Sequence, residues 1–234
     1  QHVVQKYGNT LQDIHAANLP IVAKIPVQLS GHSGVEMGQA LADELTGFLR
    51  VWQKQRPDLV LLLGDRGEMV AGALAAVHLG IHVAHLHGGE RTGTLDESFR
   101  HAITKLSHIH LPATQDAAER IRQMGERPES IHVIGAPGLV GVAGRARAEA
   151  TALRDHLGMN SSAPLALCIF HPVVQESGQA AEHMRVVMEA TRAAGFAMAV
   201  LRPNSDAGGD AIDAYLDTVP SGPDFQVLTH LERD

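Results

Sequence analysis

The sequence has few of the features that mark secreted or membrane proteins. It contains one cysteine, Cys168, among 234 residues, so no disulfide can form within the chain. Cys168 lies in an apolar run over residues 165–170, where a buried and unreactive thiol is expected. No apolar run approaches the ~18 residues that a membrane span requires, and no positively charged start precedes a signal-type apolar core. These absences predict a cytoplasmic protein that does not enter the membrane.

Charge of one sign is not concentrated anywhere in the sequence. The formal net charge is −7, and acidic and basic residues are interspersed along the chain. This pattern argues against a nucleic-acid partner or an anionic membrane surface, because both require a broad basic footprint. An anionic small ligand would need individual arginines instead. The hydrophobic fraction of 44% and the charged fraction of 19% are ordinary for a globular protein with a buried core.

Short apolar runs alternate with amphipathic segments along most of the chain. Such alternation is typical of repeated strand and helix units in a doubly wound parallel sheet. The expected strands are residues 59–63, 81–86, 109–112, 131–134, 165–170, 196–201 and 225–228. The expected helices are residues 35–55, 67–79, 96–105, 114–125, 178–194 and 209–217.

The order of these units predicts two α/β domains. Residues 1–140 are expected to form an N-terminal Rossmann-like domain without its first strand, and residues 141–162 a linker. Residues 163–234 are expected to form part of a C-terminal Rossmann-like domain with only about three strands, fewer than domain sheets usually hold. We therefore expect a fold that is incomplete at both ends.

Polar clusters follow two neighbouring predicted strands at the point where each strand ends. Residues 64–66, Gly-Asp-Arg, follow the first run, and residues 85–90, His-Leu-His-Gly-Gly-Glu, close the second. A third cluster, Asp-Glu-Ser-Phe-Arg-His, occupies residues 96–101. Because the carboxyl ends of parallel strands form the ligand crevice of such sheets, these charged and imidazole side chains are expected in one place.

Several motifs, taken in order, resemble those of one enzyme family. They are residues 7–10 (Tyr-Gly-Asn-Thr), 64–66, 85–90, 93–105, 170–173 (Phe-His-Pro-Val) and 202–208 (Arg-Pro-Asn-Ser-Asp-Ala-Gly). Their order and spacing resemble the hydrolysing UDP-N-acetylglucosamine 2-epimerases of sialic- and legionaminic-acid-type sugar biosynthesis. This resemblance implies two Rossmann-like domains of GT-B type, the second binding nucleotide, in a homodimer or homotetramer.

The resemblance also implies a reaction. A UDP-2-acetamido sugar would be converted to UDP and the C2-inverted free sugar, of the N-acetylmannosamine type, by elimination and rehydration without a metal or other cofactor. Such a reaction needs a base for the weakly acidic C2 proton and stabilisation of the departing phosphate. By the resemblance, the acid/base positions are Asp65, His87, Glu90, Asp96, Glu97 and His171. The implied substrate contacts are Arg66, Arg100, His101, Asn204 and Asp206.

The carboxylates also have simpler structural explanations. Asp65 could cap the helix that follows it. Glu90 could form a solvated loop pair with Arg91, and one of Asp96 and Glu97 could be a first-turn residue favoured by the helix dipole. Which carboxylate removes the C2 proton stays open.

The histidines leave similar alternatives. His101 and Lys105 could form one exposed helix face, and His171 could have a structural hydrogen-bonding role. His87 stands where many relatives carry glutamate, and its imidazole permits proton transfer near neutral pH. This departure fits a subgroup that acts on a different sugar, such as a 4-acetamido-6-deoxy derivative. The remaining histidines lack ligand spacing, so no metal site is expected.

Two other functions stay open at this point. A GT-B glycosyltransferase would use the same nucleotide crevice but transfer the sugar to an acceptor. A non-catalytic fragment or binding module would explain why the family's first-strand phosphate loop and its serine-rich UDP segment have no counterpart in the sequence. An NAD-linked dehydrogenase is disfavoured, because no Gly-x-Gly-x-x-Gly follows a predicted strand.

Overall fold

The fold is that of two α/β units, each built around a parallel sheet. The computed structural model describes residues 11–27, 33–144, 149–159, 162–204 and 206–231. One unit holds residues 21–140, and the other holds residues 141–234 with the described residues before Ile21. Each unit contains a three-stranded parallel sheet. The predicted domain bounds at 140 and 163 stay a prediction.

The helices and strands closely follow the predicted alternation. The α-helices are α1 (Leu11–Ala16), α2 (Gly34–Lys54), α3 (Gly67–His78), α4 (Leu95–Leu106), α5 (Gln115–Gln123), α6 (Ala150–His156), α7 (Ala180–Ala193) and α8 (Gly209–Asp217). The strands are β1 (Leu59–Leu63), β2 (His82–Leu86), β3 (Ile109–Leu111), β4 (Leu165–Ile169), β5 (Ala197–Leu201) and β6 (Phe225–Leu228). None of the helices in the described ranges is long and apolar enough to cross a membrane.

The first sheet has the strand order β1-β2-β3. Its register aligns Leu62 with His85 and His85 with His110, so these residues lie side by side across the three strands. Helix α3 connects β1 to β2 and α4 connects β2 to β3, which brings the polar clusters to one edge of the sheet. The buried side chains of Val60, Leu62 and other apolar residues of β2, α3 and α4 form the core beneath this edge.

The predicted strand over residues 131–134 is wrong. The structure has a single bridge there, between His110 and Ile131. The backbone N–H groups of His132 and Ile134 donate to the carbonyl oxygens of His110 and Pro112, at 2.8 and 3.1 Å. The returning bond that would extend this pairing needs an N–H at Pro112, which proline lacks. Pairing therefore stops after one residue.

The second sheet has the strand order β4-β5-β6 and packs against α7 and α8. Methionines supply much of this core, with Met184, Met188 and Met198 fully buried. Cys168 on β4 is half-buried rather than fully buried, and burial raises the pKa of its thiol. A thiol with a raised pKa stays protonated at neutral pH, which agrees with the expected lack of reactivity.

Candidate active site

The turn after β1 places Asp65 without using it as a helix cap. Gly64 has a φ of 81°, a left-handed conformation that favours glycine, and its N–H donates to the Leu86 carbonyl oxygen at 3.0 Å. The N-cap of α3 is Arg66, and no side chain caps this helix. Arg66 Nε instead donates to Glu68 Oε1 at 3.0 Å. The carboxylate of Asp65 is therefore free for another partner.

That partner is Arg100, which reaches the turn from α4. Arg100 Nη2 donates to Asp65 Oδ2, and Arg100 Nη1 lies 3.9 Å from Glu90 Oε2. The Arg100 side chain is only 6% exposed. Its Nε and Nη1 atoms are buried and have no hydrogen-bond partner among the residues that the structure describes. A buried guanidinium thus lies between two carboxylates and still has hydrogen-bonding capacity to offer.

The loop after β2 holds His87 and Glu90 in contact. His87 Nδ1 lies 2.7 Å from Glu90 Oε1, and the backbone N–H of His87 donates to the Leu111 carbonyl oxygen at 3.1 Å. The two intervening glycines allow the loop to approach the helices behind it. A Cβ at Gly88 would lie 2.9 Å from Thr104 Oγ1, and a Cβ at Gly89 would clash with a backbone carbonyl oxygen of α5.

His85 lies in the core and contacts both the turn after β1 and helix α4. The sequence did not assign it a role of its own. Its ring is fully buried, with Nε2 2.7 Å from the Gly64 carbonyl oxygen and Nδ1 3.1 Å from Thr104 Oγ1. Because a carbonyl only accepts, Nε2 carries the proton. Burial lowers the pKa of His85 to about 4, so the ring is neutral. The sequence feature that could have identified His85 as a core residue is its position two residues after Val83, on the same buried face of β2.

Glu97 joins the start of α4 to the preceding loop. Its Oε2 accepts hydrogen bonds from the backbone N–H groups of Gly93 and Thr92, each at 2.7 Å. These bonds lower the pKa of the Glu97 carboxyl. Its Oε1 lies 3.8 Å from His101 Nε2 and from Arg91 Nε. Glu97 is therefore held as a carboxylate that orders the loop, with Asp96 beside it in the first turn.

The remaining predicted site residues lie in the second unit. His171 follows β4 and is exposed. Asn204 and Asp206 follow β5 and bind each other, since Asn204 Nδ2 donates to Asp206 Oδ2 at 2.7 Å and Asp206 N donates to Asn204 Oδ1 at 3.1 Å. Residues 7–10 and Ser205 of the sequence motifs lie outside the described residues.

The structure therefore brings one part of the predicted site together as a connected group. We call this group the Asp65–His87 network, and it consists of Asp65, Arg100, Glu90 and His87 in order of contact. It supplies two carboxylates, a buried cation and an imidazole within a few ångströms of one another. Such a set can transfer protons and hold an anionic group at the same place.

Comparison with known proteins agrees with this chemistry. The whole chain, residues 1–234, matches the UDP-N-acetylglucosamine 2-epimerase family. It is 42% identical over 232 residues to a hydrolysing UDP-N,N'-diacetylbacillosamine 2-epimerase of Legionella pneumophila, covering 99% of this chain and 62% of that protein. It is 32% identical over 211 residues to a UDP-N-acetylglucosamine 2-epimerase of Neisseria meningitidis, covering 90% of this chain and 55% of that protein. The chain thus spans less than two thirds of these relatives.

Solved structures confirm the fold class. The UDP-GlcNAc 2-epimerase from Neisseria meningitidis bound to UDP-GlcNAc superposes with a TM-score of 0.71 at 16% identity, covering 95% of this chain and 62% of that one. The Methanocaldococcus jannaschii enzyme in complex with UDP-GlcNAc and UDP gives a TM-score of 0.71 at 18% identity, covering 92% and 60%. The predicted α/β fold with Rossmann-like domains of GT-B type is therefore confirmed. By the match over its whole length, the chain belongs to the UDP-N-acetylglucosamine 2-epimerase family.

Proposed function

We propose that this chain forms most of the catalytic region of a hydrolysing 2-epimerase that acts on a UDP-2-acetamido sugar. The enzyme releases UDP and the C2-inverted free sugar. The observation that carries the proposal is the buried guanidinium of Arg100, which lies between Asp65 and Glu90 and whose Nε and Nη1 atoms have no hydrogen-bond partner among the described residues. Burying a charge in this way is costly, so its retention at a strand end indicates a functional site.

The reaction begins with an elimination. A base removes the C2 proton, the electron pair of that C–H bond forms the C1=C2 double bond, and the C1–O bond to UDP breaks with its pair on the phosphate. Water then adds to C1 while a proton returns to C2 on the opposite face. Both halves need groups that accept and donate protons, and the departing phosphate needs nearby positive charge. The Asp65–His87 network offers both in the same place.

The remaining predicted residues take supporting roles in this proposal. Asp96, Glu97 and His171 stay candidates for further acid/base steps. The predicted contacts with the UDP-sugar stay those of Arg66, Arg100, His101, Asn204 and Asp206. The homo-oligomer, the cytoplasmic location and the independence from metal and other cofactors also stay predictions.

The similar proteins and His87 together suggest which UDP-sugar is the substrate. The Legionella relative, at 42% identity, is named for UDP-N,N'-diacetylbacillosamine, whereas the Neisseria relative, at 32%, is named for UDP-N-acetylglucosamine. By the family resemblance, the imidazole of His87 stands in place of a glutamate, which also favours a substrate other than UDP-N-acetylglucosamine. We therefore propose UDP-N,N'-diacetylbacillosamine as the first substrate to test.

The experiment compares both UDP-sugars with the full-length protein, in the presence of a chelator and without added NAD. UDP is measured by chromatography and the free sugar by NMR. UDP and free C2-inverted sugar in equal amounts support the proposal. UDP release that requires an added acceptor would show a glycosyltransferase, and loss of activity with the chelator would contradict the metal-free reaction.

A further inference from the structure

We infer that His87 and Glu90 act as one unit, in which the Nε2 atom of His87 exchanges the proton with the reacting molecule and Glu90 is a positioning residue. This inference rests on the proposed function and deepens it. From the sequence alone, the two residues are separate acid/base candidates. The structure places their side chains 2.7 Å apart, within one short loop after β2.

The direction of this hydrogen bond decides which ring nitrogen can react. A carboxylate oxygen only accepts, so His87 Nδ1 donates its proton to Glu90 Oε1. In the neutral ring the lone pair is then on Nε2, on the far side of the imidazole. The His87 side chain is 24% exposed, so the ring is accessible from the solvent side of the loop. Nε2 is therefore the atom that takes up and returns a proton.

The backbone shows that this arrangement is imposed by the loop. His87 has a φ of 60°, which is unfavourable for a residue with a Cβ. Its N–H donates to the Leu111 carbonyl oxygen. The following Gly88 and Gly89 lie so close to α4 and α5 that a Cβ at either position would be too near their atoms. Strain of this kind persists only where the surroundings enforce it, and it is concentrated at functional sites. The loop thus holds the ring where Glu90 can reach it.

The other carboxylate oxygen of Glu90, Oε2, faces Arg100 rather than His87. Glu90 Oε2 lies 3.9 Å from Nη1 of the buried Arg100, whose Nη2 binds Asp65. One oxygen of Glu90 therefore faces the imidazole and the other faces the guanidinium. Oε1 accepts the hydrogen bond of the imidazole, and Oε2 is in ion-pair range of the guanidinium without a hydrogen bond to it. Glu90 is therefore oriented by its neighbours, which supports the imidazole as the reacting group of the pair.

The proton balance of the unit is simple. When Nε2 takes up a proton, an N–H bond forms and the C–H or O–H bond of the donor breaks; the C–H pair passes into the C1=C2 double bond as UDP leaves, and an O–H pair stays on oxygen. Glu90 remains a carboxylate and stabilises the resulting imidazolium through the Nδ1–H bond. Nε2 later returns one proton, so the unit regains its starting charge after each turnover.

The test is a double-mutant cycle in the full-length protein with Glu90→Gln, His87→Gln and both changes together. A glutamine at position 90 removes the carboxylate charge that stabilises the imidazolium, and its amide can donate to Nδ1 as well as accept from it, so Nδ1–H is no longer enforced. We expect Glu90→Gln alone to lower kcat at least about tenfold, and to have an effect of less than about threefold when His87 is already replaced. An equal loss in both backgrounds would show that Glu90 acts independently and would overturn the inference.

The matched control is Glu126→Gln, because Glu126 Oε2 lies 3.2 Å from His110 Nε2 and forms a second histidine–glutamate pair in the same unit. We expect kcat per folded molecule to be unchanged in this variant. A loss equal to that of Glu90→Gln would show a general effect of breaking such pairs and would contradict a specific role for Glu90.

A second measurement separates this inference from the proposed function. Nitrogen NMR of the histidine rings, assigned through the His87→Gln spectrum, reports which nitrogen of His87 carries the proton in the neutral ring. We expect Nδ1–H in the wild-type protein and a mixture of Nδ1–H and Nε2–H in Glu90→Gln. Nε2–H in the wild type would overturn the inference, whereas Nδ1–H in a protein without epimerase activity would overturn the proposed function and leave the pairing intact.

Discussion

The two sheets have the same strand order and the same parallel connections, yet the charged groups at their carboxyl ends are arranged differently. After β1 and β2, the buried Arg100 lies between carboxylates from two separate loops, and two of its nitrogens have no hydrogen-bond partner among the described residues. After β5, Arg202 pairs with Asp213 and Asp217 of α8, at 3.1 and 2.6 Å. The first arrangement is buried and incompletely satisfied, and the second is partly exposed and internally paired. The difference supports the proposal that the Asp65–His87 network of the first sheet takes part in the reaction.

The largest expected effect is on turnover, and it should differ between a carboxylate of the first unit and one of the second. Asp65→Asn in the full-length protein should lower turnover by about two or more orders of magnitude, because it removes a positioned acid/base group beside Arg100. Asp213→Asn, which disturbs an internally paired carboxylate, should leave turnover per folded molecule close to normal. Steady-state kinetics on both variants, with folding checked by circular dichroism, makes the comparison. Near-normal turnover in Asp65→Asn would refute the assignment.

A second prediction concerns the pH dependence of stability. Because the folded-state pKa of His85 is lowered from 6.5 to about 4, the unfolded chain binds a proton that the folded protein does not. The free energy of unfolding should therefore fall as the pH drops from about 6.5 to about 4, by at most about 3 kcal/mol from this residue. Denaturant unfolding of His85→Gln should show a shallower slope over this range than the wild type.

The half-buried His183 on α7 provides the control for that prediction. His183→Gln should retain the wild-type slope, because it does not remove the buried ring contacts that His85 makes with Gly64 and Thr104. Identical slopes for the wild type and His85→Gln would show that His85 does not titrate as its burial requires.

The third prediction compares arginines. Arg66→Ala should raise KM about tenfold with a smaller change in kcat, because a guanidinium near the diphosphate acts in both the ground state and the transition state. Arg185→Ala should change neither parameter, because its partners are Glu182 and Glu189 on the same exposed face of α7. Kinetics across a range of substrate concentrations distinguishes the two. A fall in kcat at constant KM for Arg66→Ala would instead indicate a role confined to the transition state.

The smallest expected effect is on the stability of the first unit. Burial, reinforced by the nearby Glu68, raises the pKa of Glu44 on α2 from 4.5 to about 7. The folded protein therefore favours the protonated carboxyl, and its stability should decrease as the pH rises from about 4.5 to about 7. Glu44→Gln should raise Tm by about a degree or two at alkaline pH and leave it unchanged near pH 4. An equal change at both pH values would exclude titration of Glu44 as the cause.

Much of the fold follows from local patterns in the sequence. The bounds of β1, β6 and α8 match the predicted ranges, because each is a periodic segment bounded by turn residues. The strand predicted at 131–134 failed because its pairing depends on Pro112, a residue on another element. Periodicity within a segment carries no information about the hydrogen-bond donors of its partner.

The site shows a similar division. The clustering of polar residues at strand ends could be expected from the topology of parallel sheets. The contacts among these residues could not be expected from the sequence. Arg100 contacts Asp65 and Glu90 only because two loops and a helix come together in three dimensions. The role of Glu97 in binding the backbone of Thr92 and Gly93 also depends on a loop conformation that no periodic pattern encodes.

The central claim is that this protein inverts C2 by removing and returning a proton through an eliminated intermediate. The most direct measurement is the deuterium content at C2 of the free sugar formed by the full-length protein in deuterated water, read by NMR or mass spectrometry. Elimination and rehydration predict one solvent-derived deuterium at C2 in essentially every product molecule, because the proton that returns comes from a group in exchange with solvent. Product that retains its original hydrogen at C2 would exclude this reaction.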